Sequence, residues 1–181
     1  MIDNCPIEFT DDIKYLGVFI HAGNKFSCTL DHVKMSFYRA FNALLYRCKN
    51  AKSEMVPVYL LKAFCIPLLT YSIESISPSK SYLHVRDQVI NRAVGKIFNT
   101  FDADNNMCIR SMVGLYSARR LYIERTCQML LSYFNVNSSL LCLLRRLNFQ
   151  WLAPLFHEFS ITDDCPDRLS LQRLLVAVSN M

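Results

Sequence analysis

Residues 9 to 20 read FTDDIKYLGVFI, and two readings compete for them. Phe9-Thr10-Asp11-Asp12 has the aromatic-x-Asp-Asp form known from magnesium sites, whereas Ile13 to His21 is rich in the β-branched and aromatic residues that suit a strand. Magnesium needs carboxylates that converge from a rigid element, with a further acidic group supplied from elsewhere. Adjacent strand residues point to opposite faces, and the acidic neighbours here are Asp3 and Glu8. Asp11-Asp12 therefore reads as a solvated pair that opens a strand.

Outward from that strand the pattern becomes helical. Ala22-Gly23-Asn24-Lys25 supplies a turn, and Phe26-Ser27-Cys28 can return as a short partner strand. Thr29 can cap a helix whose apolar residues fall at 30, 33, 37, 40, 41, 44, 45 and 48. The opposite arc holds Lys34, Tyr38, Arg39, Asn42, Tyr46 and Lys49, and the helix is expected to end near Asn50. Ser53 can cap a second helix that tolerates Pro57 near its first turn and is kinked or broken at Pro67. A third helix spans about 80 to 99, with Leu83, Ile90, Ala93, Val94, Ile97 and Phe98 inward and Gln88, Arg92, Lys96 and Asn99 outward. Residues 102–106, the most polar run, read as a linker. Further helices are expected over 117–134, 138–149 and 167–179. The fold class is mainly α, a short β-hairpin followed by a helical bundle, organised as 1–28 (hairpin), 29–101 (helical) and 102–181 (C-terminal helical portion).

Composition narrows the function classes. A 52% hydrophobic content excludes a disordered chain, and a net charge of +5 permits an acidic partner without demanding one. The eight cysteines include no Cys-x(2–4)-Cys pair, so zinc-finger spacing is absent and they read as reduced, mostly buried small hydrophobes of an intracellular protein. The N-terminus lacks the pattern of a secretory signal. The apolar stretch 58–73 contains Lys62 and Pro67, and 129–144 is interrupted by Asn135, Asn137, Ser138 and Ser139, so no membrane span is expected. His21, His32, His84 and His157 are scattered, and four glycines cannot supply a phosphate-cradling loop beside their other roles. No catalytic constellation emerges.

The basic residues are more informative. Besides the outer arc of the first long helix, Arg92 and Lys96 share a face of the third, and Arg110, Arg119 and Arg120 follow. Charged faces are commonly just solvated faces. Cations interleaved with tyrosines also make a surface that tracks phosphates. Composition is compatible with both.

Three motifs in order carry a resemblance. Ile13-Lys14-Tyr15-Leu16-Gly17-Val18, with its turn and long helix, resembles the region after the palm in reverse transcriptases of non-LTR (LINE-type) retrotransposons. Leu60-Leu61-Lys62-Ala63-Phe64-Cys65-Ile66-Pro67-Leu68-Leu69-Thr70-Tyr71 is similar to that family's Leu-x-Lys-Ala-x-x-x-Pro-x-Leu-x-Tyr helix, and Val89 to Phe98 looks like the basic-apolar helix that follows. Together they cover about residues 8 to 130.

The resemblance implies that the hairpin contributes to a primer grip and the helices to a thumb. Tyr15, Leu16 and Gly17 would support the primer end, with Gly17 allowing close backbone approach. Lys34, Arg39, Lys49, Arg92 and Lys96 would contact phosphates of an RNA/DNA primer-template duplex. In that family the catalytic aspartates lie well upstream of the hairpin, so Phe9 to Asp12 is a lookalike. Magnesium and the palm that holds it would precede residue 1, and the chain by itself would not be an enzyme and would need no cofactor. Two other classes stay open: a helical interaction module whose apolar face meets a palm domain, another protein or a second copy, and a retroelement relic without a biochemical role.

Overall fold

The computed structural model describes residues 10–134, 157 and 168–180, apart from 16, 24–26, 30, 76 and 77. The chain is mainly α-helical, with antiparallel strands first and helices after, as the sequence patterns imply. It divides into two compact units, Met1–Ser72 and Ile73–Met181.

The first unit opens with three strands, β1 (Asp12–Tyr15), β2 (Val18–His21) and β3 (Ser27–Thr29), paired antiparallel in that order. The stretch 13–21, expected as one strand, folds back on itself between Tyr15 and Val18. Tyr15 pairs with Val18, Lys14 with Phe19 and Asp12 with His21. Gly17 makes this possible: its φ of +81° is a conformation that side-chain-bearing residues rarely adopt. Thr29, expected as a helix cap, instead ends β3 opposite Phe19.

Helix α1 (Asp31–Arg47) follows, somewhat shorter than its expected end near Asn50. Its stripe of Val33, Phe37, Phe41 and Leu44 is buried, and the Phe37 and Phe41 rings stack 5.9 Å apart. Against it lies a rod made of α2 (Met55–Leu60), one π-helical turn (Leu61–Cys65) and α3 (Ile66–Leu69). Ser53 Oγ accepts from Met55 N at 3.2 Å, and the cap position itself is Glu54. The buried positions Pro57, Leu61, Cys65 and Leu69 are each four residues apart. In a regular helix every such step overshoots a full turn by about 40°. The wider π turn takes up that drift and keeps the row on one face. It also eases the approach of the Pro67 ring to the carbonyl four residues before it, so Pro67 neither breaks nor ends the rod.

The second unit begins with a short 3₁₀ turn (Ile73–Ser75) and continues with α4 (Lys80–Phe98), α5 (Ala103–Met112), α6 (Ala118–Phe134) and α7 (Arg168–Ser179). Ser79 caps α4 by accepting from Tyr82 N, and Asn99 closes it in the left-handed region at φ 53°. Residues 102–106 are not a linker. Asp102 caps α5 by accepting from Asn105 N at 3.2 Å, and Asn106 is buried in that helix. Polar residues concentrate there because a helix start needs acceptors for its free N–H groups. Ile73, Tyr122, Ile123, Cys127, Leu130, Leu171, Leu174 and Val178 form a core in which α6 packs on α7. Val89, Ile90, Ala93 and Val94 of α4 are buried as well. The helix expected over 138–149 lies outside the described residues. Among the described residues no helix is long and apolar enough to cross a membrane.

Candidate nucleic-acid interface

Helix α1 sorts its residues by face. With Phe37 and Phe41 inward, Arg39, Asn42 and Tyr46 stand exposed on the far side, and Lys49 continues their line just past the helix end. Lys34 and Tyr38, on the margin of that arc, are half-buried. Among the described residues none of Lys34, Arg39 and Lys49 has a carboxylate within ion-pair distance. Arg39 and Lys49 are exposed to solvent.

The strand region adds a second surface in the same unit. Tyr15 is exposed at the end of β1, while Leu16 lies outside the described residues. Lys14 lies over the ring of its cross-strand partner Phe19, 5.4 Å from the centroid. A Cβ on Gly17 would sit 3.5 Å from Tyr71 Cε1 and 4.0 Å from His32 Nε2, which is ordinary contact. Within the protein, glycine is thus demanded there by φ rather than by lack of space.

Asp11 and Asp12 are both exposed, and Asp12 Oδ1 bonds His21 Nδ1 across the ladder at 2.5 Å. Among the described residues no three His, Cys, Asp or Glu side chains converge into a metal-holding group.

In the second unit Arg92 and Lys96 are exposed one turn apart on α4, with Gln88 and Asn99 along the same line. Among the described residues neither cation has an ion-pair partner. Of the arginines that follow, Arg110 and Arg120 are engaged within the unit and Arg119 is exposed. Arg110 is buried, 7% exposed, and does not face a phosphate. Its guanidinium donates to Asn91 Oδ1 at 2.7 Å, Asp87 Oδ1 at 2.9 Å, and the carbonyls of Tyr116 (2.8 Å), Leu115 (3.3 Å) and Asp87 (3.5 Å). Arg120 pairs with Glu124 at 2.9 Å and lies 3.6 Å above the Tyr116 ring. Arg119 is exposed beside a cleft of about 470 Å³ that Arg110 and Arg120 also line.

Sequence reasoning passed over Arg86, which is buried with its guanidinium 3.7 Å from the Tyr82 ring centroid. The signal was present: residues 86, 89, 90 and 93 follow the helical spacing of the inward stripe. The cysteines divide. Among the described residues Cys65 and Cys127 are buried, Cys48 is half-buried and Cys108 is exposed. Burial first, and then the nearby Glu124 carboxylate, pushes the Cys127 thiol up to about 12, so it is a packing residue rather than a nucleophile.

No family model, no curated protein and no solved structure matches this chain.

Proposed function

We propose that the chain is a non-catalytic duplex-gripping module of the kind that forms the thumb of a retrotransposon-type reverse transcriptase, with an RNA/DNA primer-template duplex as partner. The observation that carries this reading is the face of α1 on which Arg39, Asn42 and Tyr46 stand, extended by Lys49 just past the helix end, cationic, aromatic and free of carboxylate partners among the described residues. Such a face suits a sugar-phosphate backbone. Cations displace condensed counterions, amides bond phosphate oxygens, and a tyrosine ring lies against a sugar or base. These interactions fix position without reading sequence, as a grip requires. Arg92 and Lys96 on α4 supply a second cationic strip of the same chemistry.

The reading assigns no catalytic step to the chain. Asp12 is bonded to its cross-strand partner His21, and Phe9 to Asp12 remain a lookalike of the metal-holding motif.

The test is duplex binding measured at two salt concentrations for the wild type and for Arg39→Glu/Lys49→Glu. The variant is expected to bind more weakly, with a salt slope flatter by about one for each phosphate it no longer neutralises. An unchanged slope would sink the proposal. Template-dependent extension of a primer by the chain alone would overturn its non-catalytic part.

A further inference from the structure

The rod of α2, the π turn and α3 buries Val58, Leu61, Cys65 and Leu69 and presents its other face to solvent. That outer face carries Val56, Tyr59, Phe64, Leu68 and Tyr71, with Ala63 and Pro67 between them. Lys62, half-buried, is the one charged residue from Met55 to Tyr71. A helix whose outer side stays in water carries polar residues there, and a contiguous apolar patch marks a surface that another molecule covers.

Area and charge point to the occupant. Tyr59, Phe64 and Tyr71 are 64%, 65% and 46% exposed. At the 150–250 Å² that an aromatic side chain buries, the three offer roughly 350 Å². The smaller residues bring the patch toward roughly 700 Å², close to the ~800 Å² per partner of a standard stable interface. Beside it runs an apolar groove of about 360 Å³, walled by Ala40, Ala43 and Leu44 on one side and Leu60, Phe64 and Cys65 on the other, with Arg47 its single charge. Phe64 thus projects from the patch and borders the hollow. A two-fold interface needs protrusion and hollow on one surface, because each copy supplies both halves of every contact. The near absence of charge lets identical faces meet without repulsion.

We infer that a second copy of this chain docks here, rod against rod about a two-fold axis, with an aromatic side chain of each copy entering the groove of the other. None of the cations invoked for duplex binding takes part, so the two readings stand or fall separately.

Sedimentation equilibrium of the full chain from low to high micromolar concentration tests the inference. The mass is expected to rise from that of one chain to that of two. Tyr59→Asp/Phe64→Asp is expected to weaken association at least ~tenfold, as loss of central aromatic anchors does. Phe101→Asp, at an exposed apolar residue of the second unit, leaves it unchanged. Amide exchange over residues 55–71 of the wild type supplies a readout that needs no variant: protection there rises with concentration. A chain that stays monomeric throughout overturns the inference and leaves the patch to a different protein. Equal loosening by Phe101→Asp, or exchange over 55–71 that ignores concentration, overturns it as well.

Discussion

On α1 of the first unit, Arg39 stands in solvent with no carboxylate partner among the described residues. In the second unit Arg110 is buried and makes five hydrogen bonds to protein oxygens. The residue type is shared, and what differs is the supply of acceptors. Inside a helix the carbonyls are already bonded, so the far face of α1 offers a cation nothing to bind. Residues 113–117 join α5 to α6 outside any helix, and their carbonyls need donors. Backbone closes the end of α5 itself: Gly114, at φ 63°, lets Leu115 N donate to Arg110 O at 2.9 Å and Gly114 N donate to Ser111 O at 3.1 Å, a Schellman closure. The Arg110 side chain donates to two of the loop carbonyls, Leu115 O and Tyr116 O. A cation is structural where irregular backbone surrounds it and available for binding where regular helix does.

That contrast is broken most forcefully at Arg110. Arg110→Ala takes the cation from Asp87, whose Oδ1 keeps the Ala118 N–H, and strips a donor from Asn91 Oδ1 and two loop carbonyls; removing one partner from a buried charged pair costs about 3–5 kcal/mol. Arg110→Lys is not expected to restore the loss, because an ammonium cannot span five acceptors set out for a planar fork. Urea denaturation of the two variants checks this. If Arg110→Ala unfolds within about 0.5 kcal/mol of the wild type, the residue is not structural.

Next in size is Gly95, where α4 meets the start of α5. A Cβ there would lie 2.6 Å from the Thr100 carbonyl oxygen and 3.0 Å from Asn106 Nδ2. Backbone has to move to admit it, so Gly95→Ala is expected to cost about 1–3 kcal/mol. Gly17→Ala meets only ordinary contacts and is opposed by φ alone. The larger drop in thermal midpoint therefore belongs to Gly95→Ala, and the reverse order would mean that the hairpin turn rather than the α4–α5 junction is the tighter constraint.

These positions also mark how far the sequence could be read. The helices at 31–47, 80–98, 118–134 and 168–179 were legible, because one apolar stripe of helical period runs through each. The fold-back at Gly17 was not, since a single glycine in an alternating run leaves the alternation intact on both sides. Residues 102–106 misled for a different reason: a cap with its exposed first turn has the composition of a linker. Arg39 and Lys49 could be put outside by helical geometry alone. Arg110 could not be put inside that way, because the loop carbonyls that hold it are invisible in a one-dimensional pattern. The rod of residues 55–71 is apolar nearly all round, so its pattern could not distinguish the face on α1 from the face in solvent.

A pH effect is gentler and touches both units, since burial also raises the Cys65 thiol of the first. Burial raises Tyr122 from 10.0 to about 12 and Cys127 from 9.0 to about 12. Both groups hold their protons more tightly folded than unfolded. Their contribution is therefore complete below pH 9, and it is lost as the pH climbs toward 12. The slope is about 1 kcal/mol per pH unit for each group that titrates differently. Cys127→Ala should shallow that alkaline decline. A decline of the same steepness in the variant would assign it to groups elsewhere.

The smallest expected effect is the most discriminating. Arg39→Ala removes an exposed cation with no ion-pair partner among the described residues, and alanine is the best helix former. Its cost should fall within about 0.5 kcal/mol, and a slight gain is as consistent with the geometry as a slight loss. Folding stability and duplex binding then come apart: the Arg110 variant loses the first, and the Arg39 variant keeps it while losing part of the second. Measuring unfolding free energy and duplex affinity on the same preparations of both variants puts the contrast to its strictest test. Should Arg39→Ala destabilise as much as Arg110→Ala, the arginine on α1 is holding the fold together, and the face proposed for the duplex is not free to bind one.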